Sequence, residues 1–428
     1  VYTLTANIVI NSGASLVIDG ATLKFNEPSN NTYDIENSGT LNISNAIITS
    51  STGKAWYVLN NNNGRMQMNN TDFSKCGADN IPCFKLGTSP QYGASTVWMD
   101  FDNITAHDNL GSELFSNWEP FAWNSSDSEF YNLTGYITSL GGTIRNSSFH
   151  DLSNVLYVIL SWGGGKVYDS KFYNINIGES AHGELFYCKE ASGGCIFQNN
   201  SVHDFNFNAM LGIYGSQQTI PTIYRDNIIY NGTIGNSGLI YWRANQYLGG
   251  VNITSMVYNN TIKNITDGGF GFVWHSGGQN VRIWNNTLID VNVNQWQFIA
   301  NYERSFAGGG VYHPGDSENS ILYDMNFTKI LIGDLDDPAD QSIRGKLPPF
   351  VNVKYNSVVV SMPDDYFYDY KYLDVKVVDV NGNPVNGAAV NIITNQTYPD
   401  SSDLFLPVIN LYRNNKSLIL TGMDGYTP

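Results

Sequence analysis

The feature that most constrains this chain is a seven-residue pattern, Asn/Asp-x-x-apolar-x-polar-apolar, that recurs along most of its length. Asn259-x-x-Ile262-x-Asn264-Ile265 aligns with Asn285-x-x-Leu288-x-Asp290-Val291, Asn199-x-x-Val202-x-Asp204-Phe205 and Asp169-x-x-Phe172-x-Asn174-Ile175. Asp226-x-x-Ile229-x-Asn231, Asn146-x-x-Phe149-x-Asp151-Leu152 and Asp127-x-x-Phe130-x-Asn132-Leu133 obey the same rule. Counted on the fourth residue, the copies are anchored at Ile47, Phe73, Thr105, Phe130, Phe149, Phe172, Val202, Ile229, Ile262, Leu288 and Phe327, about 28 residues apart. Self-similarity at such a period signals stacked repeats. The alternation of apolar and polar residues inside each copy is a strand pattern. One copy cannot bury its apolar face alone and must stack on its neighbours. At about 4.8 Å per strand, eleven turns span roughly 50–60 Å. The recurring Asn reads as a turn or ladder residue, because Asn tolerates left-handed conformations and bonds its own backbone.

The array resembles the right-handed parallel β-helix family, the pectate-lyase-like superfamily, over roughly residues 1–349. The first turns are regular: Ser12-Gly13-Ala14-Ser15-Leu16 returns 25 residues on as Ser38-Gly39-Thr40-Leu41, with one residue deleted. With no capping helix before them, that end of the solenoid is expected to be cut or covered by another chain. Long excursions separate the strands. One, at 111–126, carries Phe115, Trp118, Phe121 and Trp123; others carry Trp242, Trp274 and Trp296. They offer sugar-stacking or protein-contact surfaces equally, while most of the nine Trp and 27 Tyr must serve core or loop packing.

Residues 350–428 change character. Leu373–Asp379 alternates, turns at Asn381-Gly382-Asn383-Pro384, and resumes at Val385. This resembles the immunoglobulin-like or carboxypeptidase-regulatory-like modules of surface proteins. The fold expected is therefore all-β: a right-handed parallel β-helix solenoid over 1–349, then a small C-terminal β-sandwich over 350–428 that lacks a closing strand. A sheet edge left open in this way invites a strand from another chain.

The net charge of −16 and the absence of a basic cluster argue against nucleic acid as a partner. The same balance argues against gripping a polyanion, unless a local basic cleft overrides it. No run of 18 apolar residues is present, so no membrane span is expected, and Val1 reads as the start of a processed chain. Cys76/Cys83 and Cys188/Cys195 are both Cys-x6-Cys. That spacing fits two local disulfides in an oxidising compartment better than a metal site, with free thiols as the alternative.

Asn-x-Ser/Thr sequons fall at Asn30, Asn42, Asn69, Asn103, Asn124, Asn132, Asn146, Asn199, Asn231, Asn252, Asn259, Asn264, Asn285, Asn326, Asn395 and Asn415. With the cysteine pairs they favour N-linked glycans on an extracellular chain. Those inside the repeat, such as Asn259, serve equally well as ladder residues. Asp334, Asp336, Asp337 and Asp340 crowd the end of the array and are either a solvated acidic loop or oxygen ligands for a structural Ca²⁺. No other cofactor is expected.

For chemistry, enzymes of the resembled superfamily need acids on adjacent turns at one register, with Arg or Lys nearby. Here Asp alternates with Asn at positions one and six, so no neighbouring acids share a slot. His150-Asp151 and His203-Asp204 share a register two turns apart, about 10 Å, with Tyr173 between them; His107-Asp108 is shifted by one. No catalytic residue is assigned, and each His reads as structural. The leading expectation is a glycosylated cell-surface structural protein, not an enzyme, that assembles with copies of itself into a filament or surface layer. Its abundant sequons, few lysines and Asn/Tyr-rich repeats resemble archaeal surface-layer and appendage proteins. The alternatives are a carbohydrate-active β-helix enzyme, lyase or hydrolase, and an adhesin for surface glycans.

Overall fold

The computed structural model describes residues 1–61, 64–78, 81–86, 98–110, 114–115, 122–134, 142–153, 157–161, 164–177, 183–189, 194–215, 221–235, 240–244, 254–267, 273–276, 280–293, 299–301, 321–323, 326–332, 350–351, 354–360, 369–370, 377–386, 389–390 and 419–420. The chain divides into two units, Val1–Tyr368 and Asp369–Pro428.

The first unit is the expected parallel β-helix. Its strands pair in parallel with their equivalents on adjacent turns. The anchors stack as Phe130, Phe149, Phe172, Val202, Ile229, Ile262 and Leu288. Inward residues form one continuous core. Phe130, Phe149 and Phe172 lie face to face at 4.6 and 5.1 Å between centroids. Two further parallel sheets close the solenoid. The strands Ile8–Ile10, Asp34–Asn37, Tyr57–Asn60 and Phe84–Leu86 make one; Tyr157–Ser161, Glu184–Lys189, Ala209–Gly215, Ile240–Ala244, Val273–Ser276 and Ile299–Asn301 make the other. No helix among the described residues is long and apolar enough to cross a membrane.

Two anchors shift by one residue. Ile48, not Ile47, pairs with Phe73, and Ile47 faces solvent. Ala106, not Thr105, pairs with both Phe73 and Phe130. The reason is backbone conformation. The left-handed corners are Asn45 (φ 49°) and Asn103 (φ 51°), not Ser44 and Asp102. One turn earlier Gly20 (φ 64°) fills the same corner ahead of Leu23.

The boundary expected at 349 falls later. Phe350–Val351 and Lys354–Val360 continue the sheet, and Tyr355 pairs with Phe327. In the second unit the described residues include the turn expected at Asn381-Gly382, where Asp379 Oδ1 accepts from the backbone N–H of Asn381 and Asn383. Ala389–Val390 pairs antiparallel with Ile419–Leu420. Most of the remaining residues of the expected sandwich lie outside the described set.

Both cysteine pairs are disulfides, Cys76–Cys83 and Cys188–Cys195, with buried sulfurs. This settles the choice left open against free thiols and fits an oxidising, extracytoplasmic compartment.

Candidate active site

Every turn from Asn103 to Asn264 bends at two left-handed corners, four residues before and one residue after its outermost ring or lysine. The first-corner residues are Asn103, Asp127, Asn146, Asp169, Asn199, Asp226 and Asn259. Those at the second are Asp108, Asn132, Asp151, Asn174, Asp204, Asn231 and Asn264. Each has φ near +50°, where Asn and Asp are tolerated far better than other residues with a Cβ. The amides then bridge turns. Asn199 Nδ2 donates to Asp169 Oδ1 at 2.6 Å, Asn259 to Asp226 at 3.1 Å, and Asn174 to Asp151 at 3.2 Å. Asn146 donates to Asp127, and Asn132 to Asp108, in the same way.

The two corners are coupled through the residue between them. From Asn103 to Asn231, turns with Asn at the first corner carry His and then Asp: Asn103/His107/Asp108, Asn146/His150/Asp151 and Asn199/His203/Asp204. Turns with Asp at the first corner carry Tyr and then Asn: Asp127/Tyr131/Asn132, Asp169/Tyr173/Asn174 and Asp226/Tyr230/Asn231. The two kinds alternate for three full periods. Carboxylates are thereby kept apart in both columns, and most accept from the amide on the next turn.

The outward rings stack into one column. His107, Tyr131, His150, Tyr173, His203 and Tyr230 follow at 4.9, 5.2, 4.6, 5.3 and 4.8 Å between centroids, nearly parallel throughout. Lys263 Nζ closes the column 5.2 Å from the Tyr230 centroid. His107-Asp108 thus lies in register with the other two pairs; the apparent shift came from the misplaced Thr105 anchor. Each His binds the Asp that follows it through Nδ1, at 2.8, 2.7 and 2.8 Å. A carboxylate on Nδ1 leaves the lone pair of a neutral ring on Nε2.

Nε2 separates the three. In His107 it meets Asp72 at 3.2 Å, and in His150 it meets Glu129 at 3.0 Å. Both acids come from the preceding turn, two residues before the residue paired with the imidazole. At His203 that same slot holds Lys171, since Tyr173 pairs with His203 and Lys171 with Ser201. His203 Nε2 has no partner among the described residues, and Lys171 is exposed. The hydrogen bond to Asp72 raises the pKa of His107, against the effect of burial. Burial works against ionised Asp108, but bonds from His107 and Asn132 outweigh it and hold its carboxyl below the usual range. Burial, with Glu129 and Asp151 nearby, holds the Tyr173 phenol protonated beyond its ordinary range.

The other expected site residues fall as follows. Asp334, Asp336, Asp337 and Asp340 lie outside the described residues, as do Asn252, Asn395, Asn415, Trp118, Phe121 and Trp296. No cluster of metal-binding side chains occurs among the described residues. Phe115 and Trp123 are core, stacked at 4.5 Å, so that part of the 111–126 excursion is no surface platform. The sequons at Asn69, Asn103, Asn132, Asn146, Asn199, Asn259, Asn264 and Asn285 all donate Nδ2 to a neighbouring turn. Asn30 and Asn124 instead accept from backbone N–H groups. Asn42 has a buried Oδ1 without a partner. What sequence reasoning missed was Lys171: the signal was present, in a Lys at the slot that holds Asp and Glu beside the other two His.

No protein-family model matches the chain, and no curated protein does. Solved structures do. A mannuronan C-5 epimerase A-module from Azotobacter vinelandii shares 11% identity over 84% of this chain and 91% of its own, with a TM-score of 0.44. A periplasmic alginate epimerase shares 13% over 84% and 78%, with a TM-score of 0.32. The catalytic domain of a GH87 α-1,3-glucanase shares 12% over 85% and 62%, with a TM-score of 0.24. At such identities the likeness is one of fold. The expectation that the chain is no enzyme is withdrawn against these neighbours, which are by name two epimerases and a glucanase; the likeness itself assigns this chain no activity.

Proposed function

We propose that this chain is a secreted carbohydrate-active protein that moves a proton on an acidic sugar, by elimination or epimerisation, with His203 as its base, oriented by Asp204, and Tyr173 as its acid. The observation that carries this reading is the change at one slot. Two imidazoles of the column are clamped by carboxylates on both nitrogens, whereas the third is clamped on one and has Lys171, not an acid, at the register position that supplies the second clamp. Asp204 orients the ring and fixes its tautomer. Nε2 then takes the proton from the sugar carbon beside the carboxylate, as a positioned general base. The Lys171 ammonium binds that carboxylate and offsets the charge that develops on it. Tyr173, kept protonated by burial, is the neighbouring acid. Hydrolysis is the weaker reading. It needs two carboxyl groups facing one glycosidic bond, and the acids flanking His107 and His150 are tied to imidazole.

The test uses polygalacturonate, polymannuronate, polyguluronate and glucuronan with two readouts: solvent-deuterium incorporation by mass spectrometry for epimerisation, and the ultraviolet absorbance of an unsaturated uronate end for elimination. Turnover of one polymer by one of these readouts is expected. His203→Ala should lower it by roughly 10²–10⁴-fold, Lys171→Ala should weaken both binding and rate, and His150→Ala should leave it near wild type. Full activity in His203→Ala, or neither exchange nor an unsaturated product with any polymer, sinks the reading.

A further inference from the structure

Round the second corner from His203 lies an open groove of about 540 Å³ that crosses four consecutive turns. It is on the Nδ1 side of His203, beyond Asp204, and so is separate from the open Nε2. Its walls are exposed amides and hydroxyls: Asn174 and Asn176, Asn206, Asn231 and Thr233, then Asn264 and Thr266, with Asp204 the one carboxylate. Its floor is apolar, made of Ile175, Phe205 and the gap at Gly232. A Cβ at Gly232 would stand 2.1 Å from the Phe205 ring, so glycine is what lets that ring lie beneath the groove. The groove is shallow and open, and more of its lining is polar than apolar. Amides and hydroxyls in rows, with little charge, match the hydroxyls of a neutral sugar, and the floor matches its C–H face. Three strand spacings, about 14 Å, accommodate a short run of sugar rings.

A second observation points to the same chemistry. Asn231 is a sequon residue at a left-handed corner, as are Asn132 and Asn264 on other turns. Those two donate Nδ2 to a neighbouring turn, as Asn174 does at its own corner. Asn231 does not donate to Asp204; its Oδ1 accepts from Asn264, and its Nδ2 is free among the described residues. Nδ2 is the nitrogen that N-glycosylation uses. It would displace the pyrophosphate carrier at the anomeric carbon of a carrier-linked oligosaccharide and give up one proton.

We infer that this groove is a seat for neutral sugar rings, supplied either by a glycan on Asn231 or by a free polysaccharide. The inference does not depend on the acid–base reading of His203. Two arms separate the sources. In the first, glycopeptides of the native protein are mapped, and glycan release by an endoglycosidase is timed on folded and denatured chains. In the second, glycan-free Asn231→Gln protein is titrated calorimetrically with neutral gluco-, chito- and mannooligosaccharides of two to six residues, and with oligouronates.

A glycan on Asn231 that is released at least tenfold more slowly from the folded chain, or neutral oligosaccharide binding that weakens at least tenfold in Asn206→Ala and Thr233→Val, supports the seat. Both side chains are exposed, so these variants leave the core intact. Three results overturn it: Asn231 unmodified with no neutral oligosaccharide bound; a glycan released equally fast from both forms with no such binding; or binding only of oligouronates, lost in Lys171→Ala, which belongs to the His203 site. Loss of turnover in His203→Ala with neutral-sugar binding intact would leave this seat standing whatever the reaction proves to be.

Discussion

His107 illustrates how much one residue can report. Asp72 on Nε2 and Asp108 on Nδ1 both favour its protonated form, so its folded pKa lies above the ordinary value. A raised pKa contributes stability that is fully present below the unfolded value and is lost as pH rises through the folded one. His107→Gln should therefore lower the urea midpoint most in mildly acidic buffer, with the deficit shrinking as pH rises past the folded pKa. A deficit independent of pH would remove the ion-pair account. Asp108 acts in the opposite sense: its lowered pKa gives stability that disappears as pH falls through the folded value. The left-handed corners allow a second residue-scale test. Asn146→Ala removes the bond to Asp127 but keeps a Cβ at a φ of 48°, whereas Asn146→Gly removes the same bond and the Cβ with it. Ala should be the less stable by about 1–2 kcal/mol, read from denaturant midpoints. Equal variants would mean that the corner conformation carries no cost. The corner residues were legible in the sequence because few residue types tolerate that conformation. Their one-residue slips at Ile47 and Thr105 were not, because Ser44-Asn45 and Asp102-Asn103 each offer two candidates for one corner.

At the scale of the strand, the residue after the first corner proved as regular as the corner itself. Ser128, Ser147, Ser170, Asn200, Asn227, Asn260 and Asn286 point inward and are buried. The serines accept from the turn before and donate to the carbonyl two residues back in their own turn. From Asn200 onward the longer side chain reaches a carbonyl one turn earlier. Asn227, for example, donates to Phe197 O at 3.0 Å and accepts the Asn200 N–H at 2.9 Å. Asn227→Ala would orphan both groups, each worth on the order of 1–3 kcal/mol when buried and unpaired. It should thus be among the costliest polar substitutions in the chain. The residue before it behaves differently: Asp226→Asn, at the outer side of the same corner, should be nearly neutral. Chemical denaturation of the two variants decides this, and comparable losses would refute the internal ladder. The doublets Asn199-Asn200, Asn259-Asn260 and Asn285-Asn286 carried the signal. Periodicity alone credits it to the outer residue, because nothing in the sequence says which member of a doublet turns inward. The same limit hid the turn at Tyr355: Asn352-x-x-Tyr355-x-Ser357-Val358 obeys the repeat rule, but its anchor is an aromatic with a polar tip.

Over the whole of Val1–Tyr368, each turn touches mainly its neighbours, so stability is close to a sum of turns and of the interfaces between them. The Phe130–Phe149–Phe172 stack is one such interface, continuous from turn to turn and wholly buried. Phe149→Ala removes the middle ring and should cost about 3–5 kcal/mol. In a globular core that loss would be felt everywhere. In a solenoid it weakens one coupling, and the turns on either side keep their own ladders and their own disulfide, Cys76–Cys83 before the break and Cys188–Cys195 after it. Hydrogen exchange on Phe149→Ala should accordingly show fast exchange in the strands Glu129–Tyr131, Ser148–Ser153 and Lys171–Asn176, with protection recovering by Arg65–Ser74 on one side and Ser201–Phe207 on the other. Because Lys171 and His203 sit at the margin of that softened zone, the turnover assigned to them should fall even though neither is altered. Deprotection spread evenly over every turn would mean that the solenoid unfolds as one unit. The column of rings would then be a consequence of global packing and not a chain of local contacts.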